Sequence, residues 1–245
     1  MRVRMPSAEV VIALRGVRKD YHGLRPLRVE QFDLCQGECV ALLGFDRVAA
    51  EVLVNLITGA TLPDSGDVDV FGTSTRAIAD PDAWLAAMDR FGILSERVVL
   101  LEPFTVEQNL ALPFSLEVDE MPLDVRSHVR QLADEVGITP GQLPQSVTRL
   151  VADAQLRVRL GKALALGPRV LLAEHPNAAL SPDEVPRFAA NLAEIAARRN
   201  LAMVVMTADA TFARAVSDRV LTLKPATGEL TPASGWRDWF TRRVR

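Results

Sequence analysis

The chain alternates between short apolar runs and longer stretches whose apolar residues recur at helical spacing. Runs rich in aliphatic and β-branched residues are typical of strands, and unbroken ones are typical of strands buried on both faces. They lie at 10–17, 27–34, 39–43, 92–94, 170–173, 201–206 and 219–223. Helical spacing predicts helices at 48–57, 125–136, 148–166, 184–199 and 211–217. Strands that alternate with helices predict an α/β fold.

Local signals mark several boundaries. Thr105 and Gln108 have the spacing of a capping box, which predicts a helix from Thr105 to about Leu112. A turn at 63–66 precedes a strand at 67–71, and another helix begins at 80–82. We predict a single domain with a core of about 9–103 and 156–225, which a helical insertion of about 104–155 interrupts.

Composition narrows the class of protein. The sequence is 49% hydrophobic and 24% charged, and its net charge of −3 offers no basic field for nucleic acid. No apolar run reaches the roughly 20 residues that span a bilayer, and residues 1–7 lack the apolar core of a secretory signal. Cys35 and Cys39 are compatible with a disulfide, but two reduced thiols fit a cytosolic chain better. We therefore expect a cytoplasmic protein that does not bind nucleic acid.

The stretch from 40 to 59 has the layout of a strand, a phosphate loop and a helix. The P-loop motif asks for G-x-x-x-x-G-K-[ST], in which Lys contacts phosphate oxygens and the hydroxyl holds Mg²⁺. Counting from Gly44, the second Gly, the Lys and the hydroxyl fall on Ala49, Ala50 and Glu51. Glu51 would place a carboxylate where phosphate binds at a helix N-terminus. We expect Arg47 to pair with Glu51 or to replace the Lys, so that these two side chains fill the phosphate position.

Six stretches, in this order and spacing, resemble the nucleotide-binding domain of ATP-binding cassette (ABC) transporters. They are LRGVRKDY at 14–21, GECVALLG at 37–44, PDSGDV at 63–68, FTVEQNLALP at 104–113, RVRLGKALA at 157–165 and SDRVL at 217–221. The resemblance implies a P-loop NTPase fold, the ABC ATPase fold, with a RecA-like core, an antiparallel β subdomain and a helical insertion. The end of the fourth stretch is similar to subfamilies that serve lipid or lipoprotein transport.

The resemblance also implies partners. In the family two such domains face each other head to tail, and ATP lies between the P-loop of one and the LSGGQ signature of the other. We therefore expect a homodimer or a heterodimer with another ABC ATPase domain. A membrane subunit would dock between Glu96 and Pro113, which would place the chain on the cytoplasmic face of a membrane.

Carried over one position at a time, the family's functional residues are largely replaced. The aromatic ring that stacks on adenine falls on Tyr21, which fits that role as well as it fits a packed ring. The nucleotide loop falls on Gly44, Phe45, Asp46, Arg47, Val48, Ala49, Ala50 and Glu51, and the signature on Leu150, Val151, Ala152, Asp153 and Ala154. The glutamine that senses Mg²⁺ falls on Glu96, the Walker B aspartate on Glu174, the catalytic glutamate on His175, the following loop aspartate on Ser181 and the switch histidine on Ala208.

Three hypotheses for the function follow. The first is a degenerate ABC subunit without ATP hydrolysis, a structural or regulatory partner of a membrane transporter, for which neither ATP nor Mg²⁺ is an expected cofactor. The second is an active transporter ATPase that uses Arg47, Glu174 and His175. The third is a sensor that binds ATP through Tyr21 and Gly44 without turnover. His175 fits a general base or a packed residue, and Glu174 fits a weak Mg²⁺ ligand or a buried paired carboxylate.

The C-terminal segment, residues 231–245, is basic and aromatic. Trp236, Trp239 and Phe240 have the i, i+3, i+4 spacing of one helical face, and arginines surround them. Such a helix fits an anionic membrane surface or a neighbouring subunit, and it equally fits docking on its own domain.

Overall fold

The computed structural model describes residues 9–78 and 80–233, and its elements follow the expected alternation of strands and helices. The strands are β1 (Val10–Lys19), β2 (Leu27–Cys35), β3 (Cys39–Leu43), β4 (Ser65–Val70), β5 (Thr73–Ser74), β6 (Phe91–Leu94), β7 (Val170–Glu174), β8 (Ala202–Met206), β9 (Arg219–Lys224) and β10 (Glu229–Pro232). The α-helices are α1 (Arg47–Ile57), α2 (Pro81–Met88), α3 (Val106–Ala111), α4 (Leu123–Val136), α5 (Ala152–Leu164), α6 (Val185–Arg198) and α7 (Ala210–Val216). Short 3-10 helices occupy Thr75–Ala77 and Val147–Arg149.

The strands form two sheets. The larger sheet has the order β10-β9-β3-β8-β7-β6, and all its pairs are parallel except β10 with β9. The smaller sheet is antiparallel, with the order β2-β1-β4-β5. Since the carboxyl ends of parallel strands meet at one edge, the residues that follow β3, β6, β7 and β8 come together there.

Two apolar clusters hold these layers together. One lies between the larger sheet and the helices and includes Leu171, Phe188 and Phe212. The other lies between the two sheets and includes Leu53 of α1 and Phe45, which is 2% exposed. Phe45 was predicted as a position of the nucleotide loop, and its ring is instead part of the core. This buried ring fixes the loop between β3 and α1.

The helix expected over 148–166 is broken. Val147–Arg149 form a 3-10 turn, Leu150 and Val151 have extended backbone, and α5 begins only at Ala152. Leu150 is buried, so its side chain anchors the break in the core. Helical spacing continues through the break, and periodicity alone therefore does not reveal it. Strand β10 was also missed, because Glu229–Pro232 contains only one aliphatic residue among polar ones and a proline.

Both cysteines are free thiols in the structure. The Cys39 thiol donates to the carbonyl of Val216 at 3.1 Å. Burial raises the pKa of Cys39 to about 12, which keeps the thiol protonated at neutral pH. A protonated thiol is a poor nucleophile, so Cys39 is a packing residue.

Membrane contact was expected only for the C-terminal segment. In the described part of the chain no helix is long and apolar enough to cross a bilayer. The basic and aromatic residues at 236–245 lie outside the described residues, and their role stays a prediction.

A buried asparagine holds the connection between β6 and α3. Asn109 is fully buried, and its Oδ1 accepts from the backbone N–H of Leu101 at 2.8 Å. Its Nδ2 donates to the carbonyls of Leu101 and Thr105, both at 3.0 Å. The predicted capping box of Thr105 and Gln108 is confirmed and starts α3 beside it. The side chain of Asn109 thus provides hydrogen-bond partners for the backbone groups of Leu101 and Thr105, which lie outside any strand.

We expect Asn109→Ala to lower the free energy of unfolding by about 3 kcal/mol, because it leaves several buried backbone groups without a partner. Urea denaturation followed by circular dichroism measures the change. Asn55→Ala is the matched control, since Asn55 lies on α1 and its side chain makes no hydrogen bond within residues 9–78 and 80–233. Equal stability of the two variants would contradict the role given to Asn109.

Candidate functional site

The candidate site lies at the carboxyl end of β3, where the chain turns into α1. Gly44 begins the turn with φ of +89°, and a Cβ at this position would lie 3.0 Å from the carbonyl oxygen of Leu223. Both features restrict the position to glycine. The predicted layout of strand, loop and helix is therefore present.

The N-terminus of α1 is capped by the chain's own carboxylate. The helix begins at Arg47, one residue earlier than predicted, and Asp46 is its N-cap. Oδ1 of Asp46 accepts from the backbone N–H of Ala49 at 2.7 Å, and the Asp46 carbonyl accepts from Ala50 at 2.9 Å. The N–H of Ala49, at the second glycine position of the P-loop, is thus already paired with an anion. Sequence analysis had expected Glu51 in this place, and that expectation is wrong.

Glu51 instead belongs to an ion-pair network centred on Arg97. Nη1 of Arg97 donates to Oε1 of Glu51 at 3.0 Å, and Nε donates to Oε2 of Glu174 at 3.1 Å. Nη2 of Arg97 pairs with the other oxygen of Glu174, and the Ser95 hydroxyl donates to Oε2 at 2.9 Å. The hydrogen bond to Glu174 is the main cause that raises the pKa of Arg97. Glu174 is 7% exposed, so the structure supports its reading as a buried paired carboxylate.

Arg47 has a different partner from the one expected. It does not reach Glu51 but donates to Glu96 at 2.8 Å. The two side chains are 70% and 46% exposed, and pairs of this kind contribute about 0 to 1 kcal/mol. Arg47 and Glu51 therefore do not fill the phosphate position together. A cavity of about 210 Å³ remains beside the loop, lined by both ion pairs, Val48 and His175.

His175 follows β7 in a left-handed conformation. Its φ is +45°, and its backbone N–H donates to the carbonyl of Met206 at 2.8 Å. The side-chain Nε2 is buried and has no hydrogen-bond partner among the described residues. A general base needs a group that orients it, and none is found around this imidazole in that part of the chain.

The signature positions lead into α5: Leu150 and Val151 precede the helix, and Ala152, Asp153 and Ala154 lie in its first turn, where Asp153 carries a charge. Asp153 is 6% exposed and accepts from Arg157 at 2.9 Å and from Arg187 at 3.0 Å. Val151 precedes it and is 68% exposed, while Leu150 is buried in the core. A carboxylate in the first turn opposes an anion at this helix N-terminus. Val151, the N-cap of α5, makes no side-chain hydrogen bond to this helix end, so the charge of Asp153 rather than a cap opposes an anion here.

The remaining predicted positions, Ser181, Ala208 and Tyr21, are not members of the ion-pair network around Arg97. The hydroxyl of Ser181 donates to Glu184 at 2.8 Å, and Ala208 is exposed between Thr207 and Asp209. Tyr21 packs at the edge of the core between the sheets. Burial and then the charge of Asp46 raise the pKa of the Tyr21 hydroxyl.

Sequence analysis missed Arg97 and Ser95. Both follow β6, whose carboxyl end lies beside that of β7 through the pairing of Leu94 with Ala173. A signal was present, because an acidic residue at the end of a fully apolar strand needs a neutralising partner from a neighbouring element. Among the described residues, no three His, Cys, Asp or Glu side chains converge to hold a metal ion.

Solved structures of ABC cassettes resemble the whole fold. A bacterial ABC transporter cassette solved as a dimer superposes with a TM-score of 0.74 at 22% identity, covering 92% of this chain and 100% of that one. The cbiO1 protein of Clostridium perfringens, part of the ABC transporter complex cbiONQ, superposes with a TM-score of 0.80 at 20% identity, covering 96% of this chain and 92% of that one. The predicted P-loop NTPase fold of the ABC ATPase type is thereby confirmed.

Sequence relatives point in the same direction. The chain is 26% identical over 214 residues to the methionine import ATP-binding protein MetN of Brucella abortus, covering 87% of this chain and 57% of that protein. It is 30% identical over 228 residues to the phosphonates import ATP-binding protein PhnC of Anaeromyxobacter dehalogenans, covering 89% of this chain and 45% of that protein. The chain thus spans about half the length of these curated relatives.

No protein-family profile matches the sequence. The assignment therefore depends on the two comparisons above, which agree with each other over most of the chain. They identify the fold as that of an ABC transporter cassette and show that the sequence resembles ATP-binding proteins of import systems.

Proposed function

We propose that the chain is a degenerate ABC subunit that does not hydrolyse ATP and acts as a structural or regulatory partner of a membrane transporter. The observation that carries this proposal is the capped loop, in which Asp46 pairs with the N–H that a phosphate would need. The phosphate position, the metal positions and the docking face between Glu96 and Pro113 each support it.

The phosphate position lacks positive charge. A P-loop lysine provides charge-assisted hydrogen bonds of about 1.5 to 3 kcal/mol each, and Ala50 provides none. Asp46 places a carboxylate at the helix N-terminus, and an incoming phosphate would meet its charge at close range. Arg47 pairs with Glu96 instead. ATP phosphates therefore do not fit the loop in this arrangement.

The metal positions do not fit Mg²⁺ either. The three positions that the family resemblance connects with Mg²⁺ are Glu51, Glu96 and Glu174, and all three are carboxylates. Arg47 and Arg97 already pair with them. Mg²⁺ requires oxygen ligands in near-octahedral geometry and would have to displace both guanidinium groups. In the proposed function this site therefore takes no part in ATP hydrolysis.

The docking face, which we define as residues 96–113, has exposed apolar side chains and neighbouring cations that suit a partner. Val99 is 66% exposed and Leu101 is 38% exposed on the segment after β6. Beside them, Arg159 donates to the Val98 carbonyl and Lys162 to the Val99 carbonyl. Within the described residues neither cation has a carboxylate within ion-pair distance, although Glu102 lies nearby in the sequence. An apolar surface edged by cations suits an amphipathic helix with an acidic residue.

The partner in this proposal is the membrane subunit of a transporter, contacted between Glu96 and Pro113 from the cytoplasmic face. The relatives are named as ATP-binding proteins of import systems, and cbiO1 is part of a transporter complex. A homodimer or a heterodimer with a second ABC domain is part of the same proposal. Lipid or lipoprotein transport is the substrate class that the sequence favours.

We expect isothermal titration with Mg-ATP at millimolar concentration to give no binding heat for this chain, because the loop is capped by Asp46 and has no lysine. An active cassette of the same fold is the positive control. Binding heat without phosphate release would identify a nucleotide sensor instead. Phosphate release that His175→Ala abolishes would identify an active ATPase and overturn the proposal.

We expect Asp46→Ala to destabilise the protein by about 1 kcal/mol, because it removes the side-chain cap of α1. Asp46→Asn is the matched control, since asparagine caps helices about as well and differs only in charge. Thermal denaturation at constant ionic strength measures both variants. If Asp46→Ala is as stable as the original chain, the capped loop is not a stable feature and the main support for the proposal is lost.

We expect a photo-reactive amino acid at Val99 to cross-link this chain to an integral membrane protein in native membranes. The same label at Leu24 is the control, since Leu24 is fully exposed on the β1–β2 connection, away from the docking face. Gel analysis and mass spectrometry identify the product. Equal cross-linking from both positions would argue against a specific docking face.

A further inference from the structure

We propose that Arg97 is a built-in replacement for a divalent cation, and that it fixes the segment after β6 in place without nucleotide. We call residues 95–101 the docking segment. The inference rests on the proposed function for the identity of the partner, but its physical content concerns this chain alone. It assigns a positioning role to a residue that the family resemblance does not single out.

The first argument is geometric. One guanidinium group donates to Glu51 at 3.0 Å and to Glu174 at 3.1 Å, so it lies between the two carboxylates. These are the positions of the P-loop hydroxyl and the Walker B carboxylate, between which the family places Mg²⁺. The Ser95 hydroxyl completes the contacts of Glu174 at 2.9 Å. The guanidinium group therefore takes the place of the metal ion.

The second argument is electrostatic. The cavity is lined by three carboxylates, those of Glu51, Glu96 and Glu174, and by two guanidinium groups, those of Arg47 and Arg97. Glu174 is the buried carboxylate, and within the described residues Arg97 is its ion-pair partner. Arg47 pairs only with the exposed Glu96, so the two arginines are not equivalent.

The third argument is the path of the docking segment. The chain turns at Ser95, whose hydroxyl also accepts from the Arg97 backbone N–H at 3.2 Å. Arg97 then ties the segment to α1 through Glu51 and to β7 through Glu174. Further on, Lys162 holds the carbonyl of Val99 at 3.0 Å. These attachments are all made by side chains of the protein itself.

These arguments together explain how the docking face keeps one position. An ATPase that uses Mg-ATP can change the surroundings of its metal site with each turnover. Here the equivalent charge is covalently part of the docking segment, so the link between α1, β7 and the docking face is permanent. The partner therefore meets a surface that does not respond to nucleotide.

The test removes the built-in cation and asks whether a metal ion can take its place. The substitution Arg97→Ala removes the cation that contacts Glu51 and Glu174. We therefore expect Mn²⁺ to bind to this variant at least about tenfold more tightly than to the original chain. Hydrogen exchange at residues 96–101 should become about tenfold faster and should slow again when Mn²⁺ is added. Electron paramagnetic resonance of Mn²⁺ and exchange mass spectrometry give the two readouts.

Arg47→Gln is the matched control, because it removes the other arginine of the cavity and should leave both readouts unchanged. Glu51→Gln is a second variant at a half-exposed position, chosen in case Arg97→Ala does not fold. It cuts the tie to α1, so exchange at 96–101 should accelerate while Mn²⁺ affinity stays low. The inference is wrong if exchange is unchanged in Glu51→Gln, or if folded Arg97→Ala gains no Mn²⁺ affinity. Neither readout involves nucleotide, so binding of Mg-ATP to the original chain would overturn the proposed function alone.

Discussion

The structure of the site depends on one buried carboxylate at the end of β7. Glu174 ends a strand whose five residues are all buried, and an unpaired charge in such a place is strongly unfavourable. The neutralising charge comes from Arg97, which the parallel pairing of β6 with β7 brings alongside. Once Arg97 is fixed there, its free Nη1 reaches α1 and draws Glu51 into the network. The arrangement of three elements thus follows from the need to neutralise one side chain.

A second constraint acts at the N-terminus of α1. The first N–H groups of a helix require acceptors, and in an active P-loop a phosphate supplies them. In this chain Asp46 accepts from Ala49, and the buried Phe45 ring holds the turn in the core. The loop is therefore stable without a ligand. The fold is shared with nucleotide-binding cassettes. In this chain Asp46 supplies the acceptor at the N-terminus of α1, and Arg97 supplies the positive charge beside Glu174.

These two features are consistent with the proposed function, in which the cassette fold keeps a surface for partners and does not hydrolyse ATP. The docking segment is anchored by Arg97, Lys162 and Asn109, and none of these anchors requires a bound molecule. The start of α5 carries the buried Asp153 with its two arginines. Partner binding through a fixed surface is therefore the activity that the described contacts favour.

The sequence by itself determined the class of fold and the replacement of the P-loop lysine and hydroxyl by other residue types. Apolar runs and helical spacing depend on local residues, and so the strands of the larger sheet other than β10 and most of the helices could be predicted, as could the capping box at Thr105. The replacement of the lysine and the hydroxyl by Ala50 and Glu51 was visible for the same reason. The two-part helix at 147–164 was not, because a buried Leu150 interrupts it without interrupting the pattern.

Only the tertiary structure decided which charges meet. Arg47 and Glu51 are close in sequence, and local reasoning paired them, yet they pair with different residues, Arg47 with Glu96 and Glu51 with Arg97. Arg97 is separated from Glu174 by 77 positions in the chain, and the distance between them depends on the register of β6 against β7. Ion pairs across elements are set by that register and by burial. A single sequence records the charges, but it does not record which buried carboxylate each must neutralise.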